Sequence, residues 1–383
     1  MIIAFLPFDT RRPFQEGETL HPYLVGNLDR AWGKDSPKPT TAEWYYGENT
    51  LWATGWFLYS QILRYRVTRE PEALQTAQKC FRDLSNIFRL SRSIEPGLLG
   101  KPHGGRAGPT TSYDQSACPV LFYTLYAQEL ATPEEKAEAV KNMAQHGEYF
   151  IRRNWTVNHH GHLQKIAGSG GGHTSLMKYL ACVYAAYQLS GETRFRDEAF
   201  KHLRQLIEVK RLPWPSNPYE VNHNLCYYAF LCDFWSKTEM GGEYDWQGCI
   251  KQYWGGLQKS FDTKGLPRFG PYNTTERTFT PYETSWDPVQ KKWQSATLQG
   301  NYYLNCNLAA VLALIARARG LDDKAHLSAK RILLQMEENT LRWWGGYDDK
   351  FPEEMKPILN IFGSEVPAAW LTAYWLGRSQ GAW

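Results

Sequence analysis

Two helical patterns alternate along this chain. Residues 48–67 carry apolar side chains on nearly every side (LWATGWFLYSQILRYRV), the pattern of a helix buried all round. Residues 71–90 (PEALQTAQKCFRDLSNIFRL) set an apolar stripe against charges and start with Pro71, which predicts an amphipathic outer helix. The pair recurs as buried 114–130 with amphipathic 132–154, 175–189 with 192–209, 220–235 with 244–261, and 296–318 with 322–341. A sixth buried segment covers 365–376, and an early helix at 21–32 would fold back as its outer partner. Helix 132–154 opens with TPEE, a capping Thr132, a first-turn proline and two acids that suit the positive helix end.

The connections are asymmetric. Those leading from a buried to an amphipathic segment are short, such as TREP, ATP and SGET, whereas 93–112, 155–173, 211–219, 262–294 and 342–363 are long. Loops longer than about 12–15 residues in a compact domain usually carry function. With the buried helices as an inner ring and the amphipathic ones as an outer ring, every long loop lies on the face where inner helices begin. The reading is an all-α (α/α)6 toroid: one domain over 1–383, in which 1–39 form an N-terminal strap and outer helix. No period or motif repeats as in a solenoid.

Charge and composition narrow the function. The net charge is +4 and spread evenly, so neither nucleic acid nor a membrane surface is the expected partner. No segment matches a signal peptide or a membrane span, so a soluble cytoplasmic or periplasmic protein is expected. The seven cysteines lie in apolar helical runs without ligand spacing and read as core thiols. The histidines of NHHGH (159, 160, 162) lack an acid or cysteine at ligand spacing, and the Gly168–Gly172 run lacks a following Lys-Ser/Thr. No metal and no cofactor are expected. The 16 Trp, 23 Tyr and 17 Phe include many loop positions, among them Trp44, Tyr45 and Tyr46, which suit stacking on sugar rings.

The first turns of the six inner helices collect polar side chains: Glu48 and Asn49, Asp114 and Gln115, His173, Glu220 with Asn222 and His223, Gln299 with Asn301, and Glu365. Helix capping explains Asp, Asn, Ser and Thr at such places, but Gln, His and Glu are poor caps. Asp114 is the leading acid or base, flanked by Tyr113 and preceded by the loop HGGRAGPTTS. Glu48, beside Trp44 and Tyr45, leads for the second carboxylate, ahead of Glu220 and Glu365. His173 completes the catalytic set. The remaining ring residues, with His103 and Arg106, read as substrate-binding, and Arg106 suits a substrate carboxylate.

In helix order, loop pattern and Tyr113-Asp114-Gln115, the chain resembles the six-hairpin glycosidase-like superfamily, which includes unsaturated glucuronyl and rhamnogalacturonyl hydrolases. Those hydrolases open an inner helix with an aspartate in an HDxGF-like context, and the resemblance implies an acid/base role for Asp114. They carry a second aspartate at the next inner helix, where this chain has His173, Thr174 and Ser175, so the resemblance does not extend to hydration of a 4,5-unsaturated uronide.

The expected function is a glycoside hydrolase acting on an oligosaccharide, with or without uronic acid. Asp114 would protonate the glycosidic oxygen while Glu48, Glu220 or Glu365 activates water or attacks, and His173 and His223 orient hydroxyls. Two alternatives stand beside it: a polysaccharide lyase on a uronate-containing glycan, and a non-catalytic glycan-binding toroid.

Overall fold

The computed structural model describes residues 50–103, 106–159, 162–166, 173–208, 223–261, 265, 267, 272–273, 278–279, 286–287, 292–293, 302–335 and 365–383. At the starts of several inner helices, at 114 and in the short hairpin strands, the description is of the backbone alone.

The buried segments become α1 (Thr50–Thr68), α3 (Tyr113–Glu129), α5 (His173–Ser190), α7 (His223–Trp235), α9 (Tyr302–Ala318) and α11 (Glu365–Ser379). The amphipathic segments become α2 (Pro71–Ser91), α4 (Pro133–Arg152), α6 (Thr193–Glu208), α8 (Trp246–Lys259) and α10 (Ala325–Leu333). The segment 21–32 lies outside the described residues.

Contacts group α1 to α6 into one compact unit and α7 to α11 into a second. In the first unit α1 packs on α3 and α3 on α5, while α2 packs against α1, and α4 and α6 pack against α5. The second unit repeats the scheme, with α7 on α9, α9 on α11, and α8 and α10 outside. Each amphipathic helix buries one stripe. In α2 it is Ala73, Ala77, Cys80, Phe81, Leu84, Ile87 and Phe88, and in α6 it is Phe195, Ala199, Phe200, Leu203 and Leu206. All seven cysteines are buried and free, as their apolar setting predicts.

Close packing fixes the inner helices. A Cβ on Gly55 of α1 would come within 2.6 Å of the Pro119 Cα in α3, so only glycine permits this approach. Polar side chains tie the outer helices to the inner ones. Thr132 and Glu135 form the capping box that TPEE suggests. Glu135 also accepts from Gln78 of α2 at 2.8 Å and from the Tyr126 hydroxyl of α3 at 3.3 Å. One buried carboxylate thereby joins three helices.

Three of the short turns agree with the sequence reading. Gly191 takes a left-handed φ of 73° between α5 and α6, while Arg69 adopts φ 58° between α1 and α2 without the freedom of glycine. The connection from α7 to α8 is longer than expected, because a 3₁₀ turn at Glu239–Gly242 is inserted there.

The long loops add a feature that the helical periodicity does not reveal. Antiparallel ladders pair β1 (Pro102–His103) with β2 (Arg106–Ala107), and β3 (Thr156–His159) with β4 (His162–Lys165). Two more pair β5 (Tyr272–Asn273) with β6 (Thr278–Phe279), and β7 (Trp286–Asp287) with β8 (Lys292–Trp293).

Candidate active site at the mouth of α3

The mouth of α3 is assembled from two hairpins and two inner helices of the first unit. The Lys101 amide donates to the Thr110 carbonyl at 2.9 Å, closing the loop around β1 and β2. The Thr111 amide then donates to the Asn158 carbonyl at 2.9 Å, and Asn158 Nδ2 donates to the Pro109 carbonyl at 3.4 Å. The approach to α3 is therefore anchored on β3. Inside the first turn, the Thr111 and Ser116 hydroxyls share a hydrogen bond of 2.8 Å.

Ser112 is the N-cap of α3, in an extended conformation and without a side-chain capping bond. Asp114 therefore occupies the second helical position, and capping from the N-cap position does not account for it. An acid in the first turn still interacts favourably with the helix dipole, worth about 0.3–1 kcal/mol. Gln115 follows and is buried, at 1 % exposure.

The ladder of β1 and β2 sets His103 directly opposite Arg106, so these two substrate-binding candidates share one register position in the loop that leads to Asp114. His173 is the first residue of α5, the inner helix packed on α3. His223 opens α7 and Glu365 opens α11, both in the second unit. Glu48, Trp44, Tyr45, Asn49, Glu220, Asn222, Gln299 and Asn301 lie outside the described residues.

One residue that the sequence reading passed over sits at this mouth. Lys178, in the second turn of α5, is 0 % exposed, and its Nζ lies 4.2 Å from the centroid of the Tyr113 ring. A cation over an aromatic face is attracted by the ring quadrupole. That attraction does not replace the hydration an ammonium loses on burial. A signal was available, since Lys178 is the one Lys, Arg, Asp or Glu in the 18-residue α5. A second buried lysine, Lys101 at 1 % exposure, belongs to the loop that ends at Asp114.

A buried histidine of this unit behaves differently. His146 of α4 bonds through Nδ1 to the Gly97 carbonyl at 2.7 Å and packs edge-on against Phe88 and Phe150. Burial depresses its pKa to about 4, with the Gly97 carbonyl opposing the shift, so it is neutral at physiological pH. Among the described residues no three His, Cys, Asp or Glu side chains are grouped to hold a metal ion. No described helix is long and apolar enough to cross a membrane.

No protein-family model and no curated protein sequence matches the chain. Solved structures do match in fold. One is the crystal structure of a possible member of the GH105 family from Klebsiella pneumoniae, 10% identical, with a TM-score of 0.53 over 97% of this chain and 96% of that one. Another is the crystal structure of D-mannose isomerase, 12% identical, with a TM-score of 0.51 over 88% of this chain and 87% of that one. Both are six-hairpin toroids, and the chain is an all-α toroid of that kind. Identities this low carry the fold and nothing finer.

Proposed function

We propose that the protein is a carbohydrate-active enzyme, a glycoside hydrolase that cleaves an oligosaccharide with Asp114 as one of two carboxyl groups exchanging protons with the substrate. The observation that carries this reading is the position of Asp114. It stands two residues beyond the N-cap Ser112, at a mouth built from two anchored hairpins, directly after Tyr113, whose ring meets a buried lysine. In a toroid of this kind the inner helices open on the face that carries the long loops, where a sugar would meet Trp44 and Tyr45 as stacking platforms. Glu48 is first choice for the second carboxyl group, followed by Glu220 and Glu365. His173, His223, Asn49, Asn222, Gln299 and Asn301 would bind sugar hydroxyls, and His103 with Arg106 would take an acidic substituent. The likeness to a possible GH105 member supports this choice of substrate class.

A second reading comes from the likeness to D-mannose isomerase: proton transfer on a free sugar without cleavage. The same variant tests both. Asp114→Asn should abolish turnover while the variant stays folded. The products then separate the readings: new reducing ends for a hydrolase, an isomeric sugar of unchanged mass for an isomerase, and an ultraviolet-absorbing unsaturated product for a lyase. Turnover at the wild-type rate by folded Asp114→Asn would remove this residue from the mechanism.

A further inference from the structure

The loop that leads into α3 runs along β3, and two buried polar atoms at that seam have hydrogen-bonding capacity left over. Thr110 is 1 % exposed, and its Oγ1 has no hydrogen-bond partner among the described residues. The main chain of Thr110 is engaged, because its carbonyl accepts from the Lys101 amide at 2.9 Å. Asn158 of β3 accepts from the Thr111 amide through its carbonyl, and its Nδ2 donates to the Pro109 carbonyl at 3.4 Å. The Oδ1 of the same amide is buried and has no partner among the described residues either.

The two atoms stand on either side of one hydrogen bond. Asn158 Oδ1 shares its amide group with Nδ2, and Thr110 is peptide-linked to the Pro109 carbonyl that accepts from that Nδ2. Turning the Asn158 amide over does not relieve Oδ1, since it would set one acceptor against another. The nearest hydroxyls, those of Thr111 and Ser116, already bond each other at 2.8 Å. Protein interiors pair nearly all such groups, with protein atoms or with ordered water. An amide oxygen only accepts, whereas a hydroxyl also donates. The complement of this pair is an uncharged molecule with one O–H to give and one lone pair to offer, and a single water supplies both.

We propose that the seam between the approach loop and β3 is a binding site for an ordered water, which accepts from the Thr110 hydroxyl and donates to Asn158 Oδ1. The water joins the Thr111–Asn158 and Pro109–Asn158 hydrogen bonds as a third link. Together they fasten residues 109–111 to β3 immediately before the helix that carries Asp114 in its first turn. This role for Thr110 and Asn158 is independent of the catalytic reading of Asp114.

A high-resolution crystal structure of the unliganded full chain tests the site. One water oxygen should lie within about 3.2 Å of both Thr110 Oγ1 and Asn158 Oδ1. Direct bonds from these atoms to protein, a cation in place of the water, or no density bridging the two overturns the proposal. A second measurement reads the fastening: hydrogen exchange of the Thr111 amide, followed by NMR in the wild type and in Thr110→Val, which keeps the shape of the side chain and removes its hydroxyl. With the water bound in the wild type, exchange in the variant should quicken by about tenfold. Exchange at the wild-type rate or slower overturns the proposal, because a hydroxyl that binds no water loses nothing on becoming a methyl group. The crystal structure needs no variant to fold.

Discussion

The two ends of α3 place charge in opposite surroundings. At the C-terminal end, Glu129 meets Arg66 of α1 through two hydrogen bonds, one of them Nε to Oε2 at 3.0 Å, and each side chain keeps 36% exposure. At the N-terminal end, Lys178 has lost all contact with water against Tyr113. Surface pairs of the first kind contribute about 0–1 kcal/mol and need no functional explanation. A buried charge of the second kind costs several kcal/mol in desolvation, and an apolar residue of similar volume is often at least as stable there. Stability therefore accounts for the first end of the helix. At the second, the partners that replace water around the ammonium decide whether the charge is stabilising or costly.

The largest effect expected on this contrast is catalytic. Asp114→Asn should lower kcat/KM by about a hundred- to ten-thousand-fold, the range for a lost acid or base, with an unchanged melting profile as the control.

Next comes the buried charge itself. Lys178→Ala, which removes a fully buried side chain and its contact with Tyr113, should lower unfolding free energy by about 2–5 kcal/mol. Urea denaturation of the wild type and the variant measures this. A loss below about 1 kcal/mol would put the buried end on a level with the exposed one.

His146 offers a third test, because it meets burial by remaining neutral. Its folded pKa of about 4 lies below the unfolded value of about 6.5, so between these values the unfolded chain binds the extra proton. Stability should accordingly be unaffected by this group above pH 6.5, fall by about 3 kcal/mol as the pH drops to 4, and level off below. Denaturation at stepped pH should show that slope in the wild type and a shallower one in His146→Gln. Equal slopes would remove His146 as its source.

The smallest effect should belong to the exposed end. A double-mutant cycle of Arg66→Ala and Glu129→Ala should give a coupling below about 1 kcal/mol that shrinks further in salt. A coupling of several kcal/mol would erase the difference between the two ends.

The helix order was readable because burial leaves a direct trace in sequence. Helices α3 and α5 are apolar on all sides and sit inside, whereas α2 and α6 show a stripe and sit outside. The Thr132 and Glu135 capping box was readable for a similar reason, since both partners lie within one turn. The small ladders were not, because strands of two to four residues are too short to establish a period of two. Nor was the true N-cap of α3, where Ser112 precedes a more conspicuous Asp114.

The sequence by itself determined which segments are helices, which of them are buried, and that the polar residues gather in first turns and long loops. Those properties follow from side-chain periodicity and local capping, which act over a few residues. Only the tertiary structure decided that Lys178 meets Tyr113 across 65 positions and that His103 stands opposite Arg106. It also anchored the approach to Asp114 on the strand that carries Asn158. Such contacts depend on how the packed helices and hairpins bring distant residues within a few ångströms, and electrostatic effects on a carboxylate act at that range.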